Sequence, residues 1–421
     1  MGADGHGGGG IESSVGRPVR GINFFDRDDE RRLLWQHLRQ SHVLLLAPRR
    51  VGKTSLLLRL ADEAAGHGFR AVYVSVADAR SEDDVTRKII AALAAHPASD
   101  PIWRRLQKGP FKRFFSRLKA RVEAGPLSLE LAADEGKWGT LAEVTAEAIE
   151  RLGEPWLVLV DELPIFVLTL LREDTRAAGK ESPYGTHELP RTRAFLNWFR
   201  QLRNTGGGGA TDTPLRWVVA GSIGLDAVVG RARLGDTIND MRVFPLGAFS
   251  PATADTFLAA LGDSYGLALD APTRGRLMAR AGWLIPFYLQ ILFSRLHDLC
   301  AEESRVPSPS LVDRVVDELL TPTYRAYFDY WRQRLTEELG RPDDQRAQAL
   351  LAGVAVAPEG LTRRELEVVL SVLVPDPPTR EESLRFLLDV LENDGYLARD
   401  GDRFRFRSEL LREYWVRRVI A

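Results

Sequence analysis

Ala47-Pro48-Arg49-Arg50-Val51-Gly52-Lys53-Thr54 fits the pattern [AG]-x4-G-K-[ST], in which a loop and the helix after it hold a phosphate chain. The chemistry follows from the residue types. Backbone N–H groups from Ala47 to Ser55 form a concave anion site that ends on the positive N-terminus of a helix. Gly52 lets the backbone approach the phosphates, the Lys53 ammonium reaches the β and γ oxygens, and the Thr54 hydroxyl ligates Mg2+. A metal so placed needs a carboxylate, and Trp156-Leu-Val-Leu-Val160-Asp161-Glu162 offers two at the end of an apolar run. Asp161 is expected to hold Mg2+ through a water, and Glu162 to polarise the attacking water. An Asp-Glu pair after a strand also serves as a helix N-cap, and the spacing leaves that alternative open.

The elements that must position these groups are legible as periodicity. Residues 42–46 are a short apolar run suited to a buried strand, and 53–65 form a helix closed by Gly66 and Gly68, so the phosphate pattern lies between strand and helix. Similar runs at 70–76, 156–160, 215–220 and 243–246 are separated by helical stretches such as 141–152 and 192–203. This alternation predicts an α/β fold with a parallel sheet covered on both faces. A leading helix is expected over 28–40. From Pro251 to about Leu339 helical periodicity dominates, in stretches 252–261, 273–281, 286–300 and 310–335, and predicts a helical lid. Beyond a polar break at 341–344, helices at 345–355, 362–370 and 379–393 precede two alternating runs, 396–399 and 403–407, around Asp400-Gly401, the order of a winged helix. The expected organisation is therefore a disordered tail over 1–18, a core over 19–250, a lid over 251–340 and a winged helix over 341–421. Residues 173–189 and 204–213 are of low complexity and predict surface loops.

Composition narrows the function classes. A chain of 421 residues has room for two or three domains. With 44% hydrophobic and 27% charged residues it reads as ordinary globular protein, and no charge-free run nears the ~20 residues of a membrane span. The net charge of −1 gives the whole chain no bias toward nucleic acid. One cysteine, Cys300, excludes a disulfide framework and the seven histidines show no metal spacing, which fits a reducing, cytoplasmic location. Residues 1–16 are Gly-rich without an apolar stretch of signal-peptide length, so they read as a tail and not a targeting segment. No nuclease, protease or other effector constellation is visible.

Residues 45–56, Asp161-Glu-Leu-Pro164 and Ala220-Gly-Ser-Ile-Gly-Leu225 together resemble the AAA+/STAND ATPases of the archaeal-type and origin-recognition-like clade. Phe25–Glu30 is similar to the clade's motif near the adenine pocket, and Phe195–Arg200 to the helix before its fourth strand, so the likeness runs from about Gly21 to the C-terminus. It implies ATP as the ligand, a five-stranded P-loop NTPase core with lid and winged helix, and an output in assembly or partner binding. Ser222 falls where the family places a polar sensor of the γ-phosphate; an ordinary turn serine is the alternative. Arg231 and Arg233 are candidates for an arginine finger presented to a neighbouring copy, or a solvated basic turn. Asn239-Asp240 belongs to that element or is a simple turn. Gly282 and Pro286 are similar to the lid motif that reads bound nucleotide, Pro286 pre-setting the first turn of its helix. The arginine that origin-recognition-like initiators carry in this lid helix is not evident in 286–293, which implies slow hydrolysis and a switch.

Local charge bears on partners. In 380–394, Arg380 and Arg385 stand against Glu381, Glu382, Asp389, Glu392 and Asp394, the wrong sign for a helix in a DNA groove. Arg403, Arg405 and Arg407 alternate with Phe404 and Phe406 and give the wing strand a basic face. The winged helix therefore reads as a protein-contact module or, alternatively, as the grip of an ATP-dependent DNA loader or regulator. Residues 100–124 carry eight basic against two acidic residues, interleaved with Trp103, Phe111, Phe114, Phe115 and Leu118. A solvated helix packed on the core, a nucleic-acid contact and a dock for an acidic partner all fit this pattern. Any effector is expected to be another chain, and a homo-oligomer is compatible with the class.

Overall fold

The structure is a computed structural model that describes residues 10–97, 142–143, 145–146, 149, 154–179, 188–204, 215–221 and 225–420. The chain divides into two compact units that do not follow its order. Residues 29–46 and 56–245 make one; the N-terminal residues to Asp28, Ala47–Ser55 and everything from Leu246 make the other.

The first unit is built on five parallel strands, β1 (His42–Leu46), β2 (Arg70–Ser75), β3 (Trp156–Asp161), β4 (Leu215–Gly221) and β5 (Met241–Pro245), in the order β2-β3-β4-β1-β5. These are the expected runs, and the α/β fold follows the expectation. Continuous burial along β3 explains its unbroken apolar sequence, because a central parallel strand is covered on both faces. Period-two alternation sorts the faces. Leu44, Val72, Val74, Trp156, Val158, Val160, Trp217 and Val219 enter one core with Phe166, Phe195 and Phe199. Tyr73, Ser75 and Asp161 fall on the opposite face.

The helices around this sheet are α1 (Asp28–Leu38), α2 (Lys53–Glu63), α3 (Glu82–Ala95), α4 (Leu163–Ala177), α5 (Pro190–Asn204) and α6 (Leu225–Arg231) among the described residues. Ser81 and Asp84 close a capping box at the start of α3. Residues 173–177, expected as loop, continue α4, whereas 100–124 and most of 141–152 and 204–213 lie outside the described residues. The Asn239-Asp240 turn has a structural role: the enclosed Arg203 guanidinium donates to Asp240 at 2.7 and 2.8 Å and to the Thr237 carbonyl at 2.6 Å. Burial opposes ionisation of Asp240, but its bond to Arg203 outweighs burial and holds the carboxyl below its usual value.

In the second unit, α7 (Pro251–Ser264), α8 (Ala271–Ala281), α9 (Pro286–Glu303) and α10 (Pro309–Leu319) are followed by a 3-10 turn, Pro322–Tyr327, and α11 (Asp329–Leu339). Ser250, Asp270 and Ser308 cap α7, α8 and α10 by accepting from the third backbone N–H, each with a proline in the first turn. The single helix expected over 310–335 is interrupted because Pro322 has no N–H to continue it. Then come α12 (Asp343–Ala355), β6 (Leu361–Thr362), α13 (Arg363–Ser371), α14 (Pro377–Asn393), β7 (Leu397–Asp400), β8 (Arg403–Phe406) and α15 (Glu409–Tyr414). The three strands form an antiparallel sheet ordered β6-β8-β7.

Part of the segment expected as a disordered tail is held in this unit. The Ser13 amide donates to the Tyr265 hydroxyl, Ser14 to Gln290 Oε1 and Val19 to Ser55 Oγ. Residues 10–19 carry no periodicity, so backbone donation to distant side chains left no trace in the pattern.

His42 at the start of β1 accepts the Trp217 backbone N–H on Nδ1 at 3.2 Å. Burial first, and then Arg203, push its pKa down to about 4. The unfolded chain binds this proton near pH 6.5, the folded one only near 4, so stability present above 6.5 is lost as pH falls through that window. The loss is up to about 3 kcal/mol at ~1.4 kcal/mol per unit. Denaturant unfolding of His42→Gln, which keeps an acceptor, is expected to be flatter between pH 6.5 and 4 than that of the parent; parallel curves would contradict the assignment.

Candidate phosphate loop and carboxylate pair

The loop that continues from β1 has a backbone few residues tolerate. Arg50 has φ +70° and Gly52 φ +97°. A Cβ on Gly52 would meet no atom within 4 Å, so the glycine answers to the backbone and not to crowding. After it, Lys53 begins α2 and is only 5% exposed. What holds the loop is Arg27, also 5% exposed, whose guanidinium donates to the Val51 carbonyl at 3.2 Å and to the Gly247 carbonyl at 2.8 Å. Its plane lies 4.7 Å over the Phe249 ring, and Phe249, Phe25 and Phe257 pack edge to face beneath it. The Phe25–Glu30 motif therefore acts on the loop through Arg27, which the sequence reading did not single out.

The loop's own side chains face the helices of its unit. The Arg50 guanidinium stacks 4.1 Å over Phe287, the second residue of α9 after Pro286, and lies 5.2 Å from the Tyr330 ring in α11. Burial lowers its pKa from the ordinary value. Arg49 donates to the Tyr330 hydroxyl, and a Cβ on Gly16 would come 2.6 Å from an Arg50 nitrogen. Gly395, after α14, has φ +86°, and a Cβ there would be 2.4 Å from Trp283 and 3.1 Å from the Cβ of Pro48. Gly282, with φ +69°, is likewise where the Glu409 backbone at the start of α15 comes close. Pro48, Arg49 and Arg50 thus meet α9, α11 and the turn after α14. Ser55 turns its hydroxyl to the Val19 amide.

In the sheet unit, Asp161 closes β3 and is 2% exposed. The Tyr73 hydroxyl donates to its Oδ2 at 3.1 Å. Strand register aligns Asp161 with Ala220 and Ala220 with Leu45, so Asp161 is level with the end of β1. Glu162 occupies the N-cap position of α4 at φ +62° with no side-chain cap bond. The N-cap alternative raised for it therefore does not describe its side chain. Asp26, Arg27, Arg50, Glu162 and Arg233 all have positive φ, and backbone strain of this kind persists where surrounding structure enforces it.

The remaining candidates are dispersed. Ser222 lies outside the described residues; Arg231 ends α6 and its side chain is outside them as well. Arg233 is exposed at φ +55°, its carbonyl accepting from Arg193 at 3.1 Å. Helix α9, expected as part of a lid, does carry an arginine beyond 286–293, Arg295, which is bonded to Glu318 and Glu302. In β8 and just after it, Arg403 donates to the Gly360 carbonyl, Arg405 pairs with Asp400 at 2.8 Å, and Arg407 lies over Trp283.

Among the described residues no cluster of three His, Cys, Asp or Glu side chains could cage a metal. A hydroxyl and one carboxylate are instead the all-oxygen donor set that suits Mg2+, a cation that keeps waters and takes phosphate ligands. Asp161 is a carboxylate of that kind.

Replacing Arg27 by Met keeps the stem and removes the donors, leaving the Val51 carbonyl without this partner. An unfolding loss of about 1–3 kcal/mol is expected. ATP affinity, read by equilibrium titration, is expected to fall about tenfold or more if the loop conformation is what binds; affinity equal to the parent's would show that Arg27 does not shape the loop.

No protein-family model matches the chain, and no curated protein matches it. A Walker-type ATPase of Pyrococcus abyssi is similar in structure, with a TM-score of 0.58 at 17% identity over 94% of this chain and 98% of that one. The ORC2 protein of Aeropyrum pernix, in ADPNP and ADP complexes, aligns over 94% and 96% of the two chains at 12% identity, with a TM-score of 0.49. At such identities the likeness speaks to fold. With its sheet order and the loop between β1 and α2, the chain shares the α/β fold of that Walker-type ATPase, as the sequence led us to expect of its parallel sheet.

Proposed function

We propose that the chain is an ATP-binding, Mg2+-dependent ATPase that works as a nucleotide-controlled switch for assembly or for binding a protein partner. Residues Ala47–Ser55 cradle the phosphates, Lys53 binds the β and γ oxygens, and Thr54 and Asp161 are the metal's oxygen donors. Mg2+ neutralises charge developing on the transferred phosphoryl group. Glu162 orients and polarises the attacking water, Ser222 senses the γ-phosphate, and Arg231 and Arg233 are presented to a second copy. We read 341–421 as a winged helix and 251–340 as the lid that Pro286 joins to the nucleotide.

The observation that carries the switch is the contact of Arg49 and Arg50 with Tyr330 and Phe287. ATP and ADP can bias two arrangements of the lid only by differential interaction, and a phosphate loop whose arginines rest on lid residues supplies a route for it. Protein contact is favoured over DNA for the C-terminal module because α14 is acidic on balance and the wing arginines are already engaged by Gly360, Asp400 and Trp283. No helix among the described residues is long and apolar enough to cross a membrane.

Turnover, ATP affinity and particle mass measured together on three proteins test this reading. Lys53→Ala is expected to lose ATP affinity; retention of micromolar binding would contradict the phosphate-loop assignment. Glu162→Gln is expected to bind ATP while turnover falls about a hundredfold or more. ATP-dependent mass change in the parent and in Glu162→Gln is expected from the switch, and identical mass with ATP, with ADP and without nucleotide would oppose it.

A further inference from the structure

We propose that Tyr73 is a positioning residue for the metal site: its hydroxyl fixes the Asp161 carboxylate in the orientation that receives hydrated Mg2+. The inference rests on reading Asp161 as the metal carboxylate and adds a residue no motif contains. β2 alternates strictly, Val72 and Val74 entering the core while Tyr73 and Ser75 turn to the face that carries Asp161. Register pairs Ser75 with Asp161 and Tyr73 with Leu159, so Tyr73 reaches along the strand by one pleat and donates to Oδ2 at 3.1 Å. The backbone is tied at the same point, the Val76 amide donating to the Asp161 carbonyl at 3.0 Å. Burial first, and then the Asp161 charge, raise the phenol's pKa well above its ordinary value, so it is a donor at neutral pH.

An aspartate has two free side-chain torsions, and at a buried strand end a fixed donor on one oxygen determines where the other points. With the ion held through a water, the direction of the acceptor oxygen sets its affinity, as it does for hydrogen-bonded outer partners of metal ligands generally. The ring of Tyr73 does not touch the phosphate chemistry in this account. Its effect is confined to the metal.

The test is equilibrium binding of a fluorescent ATP analogue to the full chain, once in EDTA and once with Mg2+ titrated, for the parent, Tyr73→Phe and Asp161→Asn. In Tyr73→Phe the Mg2+ concentration for half-maximal effect is expected to rise about tenfold, with affinity in EDTA unchanged. An unchanged Mg2+ midpoint would overturn the proposal, and so would an equal loss of affinity in EDTA, which would mark Tyr73 as scaffold. Asp161→Asn separates the two levels: if it keeps the parent's Mg2+ dependence, the metal assignment of Asp161 itself fails, whereas loss there with a normal Tyr73→Phe overturns only the role of Tyr73.

Discussion

A guanidinium buried to 5% exposure must find partners for its N–H groups inside the protein, and Arg27 takes two from backbone carbonyls that are distant in sequence, Val51 and Gly247. Val51 lies in the chain that leaves β1 and Gly247 in the chain that leaves β5. Bonding them to one rigid, planar group fixes the path of the phosphate loop, including the left-handed residues Arg50 and Gly52, whose conformation would otherwise relax. Phe249 stacks against the guanidinium, and Phe25 and Phe257 pack on Phe249. The path of the loop, the exit of Arg49 and Arg50 and the start of α2 all follow from that constraint.

The division into units has a functional reading. The phosphate loop groups with the C-terminal helices, while the strand that leads into it groups with the sheet. Few bulky contacts are needed to make the loop part of the C-terminal unit: two arginines on aromatic rings, Pro48 beside a glycine, and Ser55 bonded to the N-terminal strap. The arginine and Pro48 contacts join residues hundreds of positions apart, the Ser55 bond residues 36 apart, and none repeats with the period of a helix or strand. A ligand that alters the loop acts on these contacts directly, without a long chain of intermediates.

The sheet was legible because parallel strands are buried on both faces and read as continuous apolar runs; the residues around Val43, Val158 and Val218 announce themselves. Most C-terminal helices were legible through their helical periodicity, while the caps that start several of them, Ser250, Asp270, Ser308 and Asp376, emerged only from the structure. Lys53, Thr54 and Asp161 stood out in the sequence as candidates because phosphate and metal chemistry restricts residue type and spacing. Arg27 and Tyr73 were not, since their roles depend on which backbone or carboxylate the fold brings to them. Tyr73 left one clue, a phenol among valines in a run of strand period. Glu162 illustrates the limit from the other side: sequence offered an N-cap or a base, and only the left-handed backbone and uncapped geometry removed the first.

The central claim is that the loop at 47–55 binds a chain of phosphates. Calorimetric titration of the unmodified chain with ATP, ADP and AMP tests it most directly. The account predicts that ATP and ADP bind and that AMP binds about a hundredfold more weakly or worse, because the loop's N–H groups and Lys53 address the β and γ positions, a difference of at least ~2.7 kcal/mol. Equal affinities for the three nucleotides, or none for any, would contradict it.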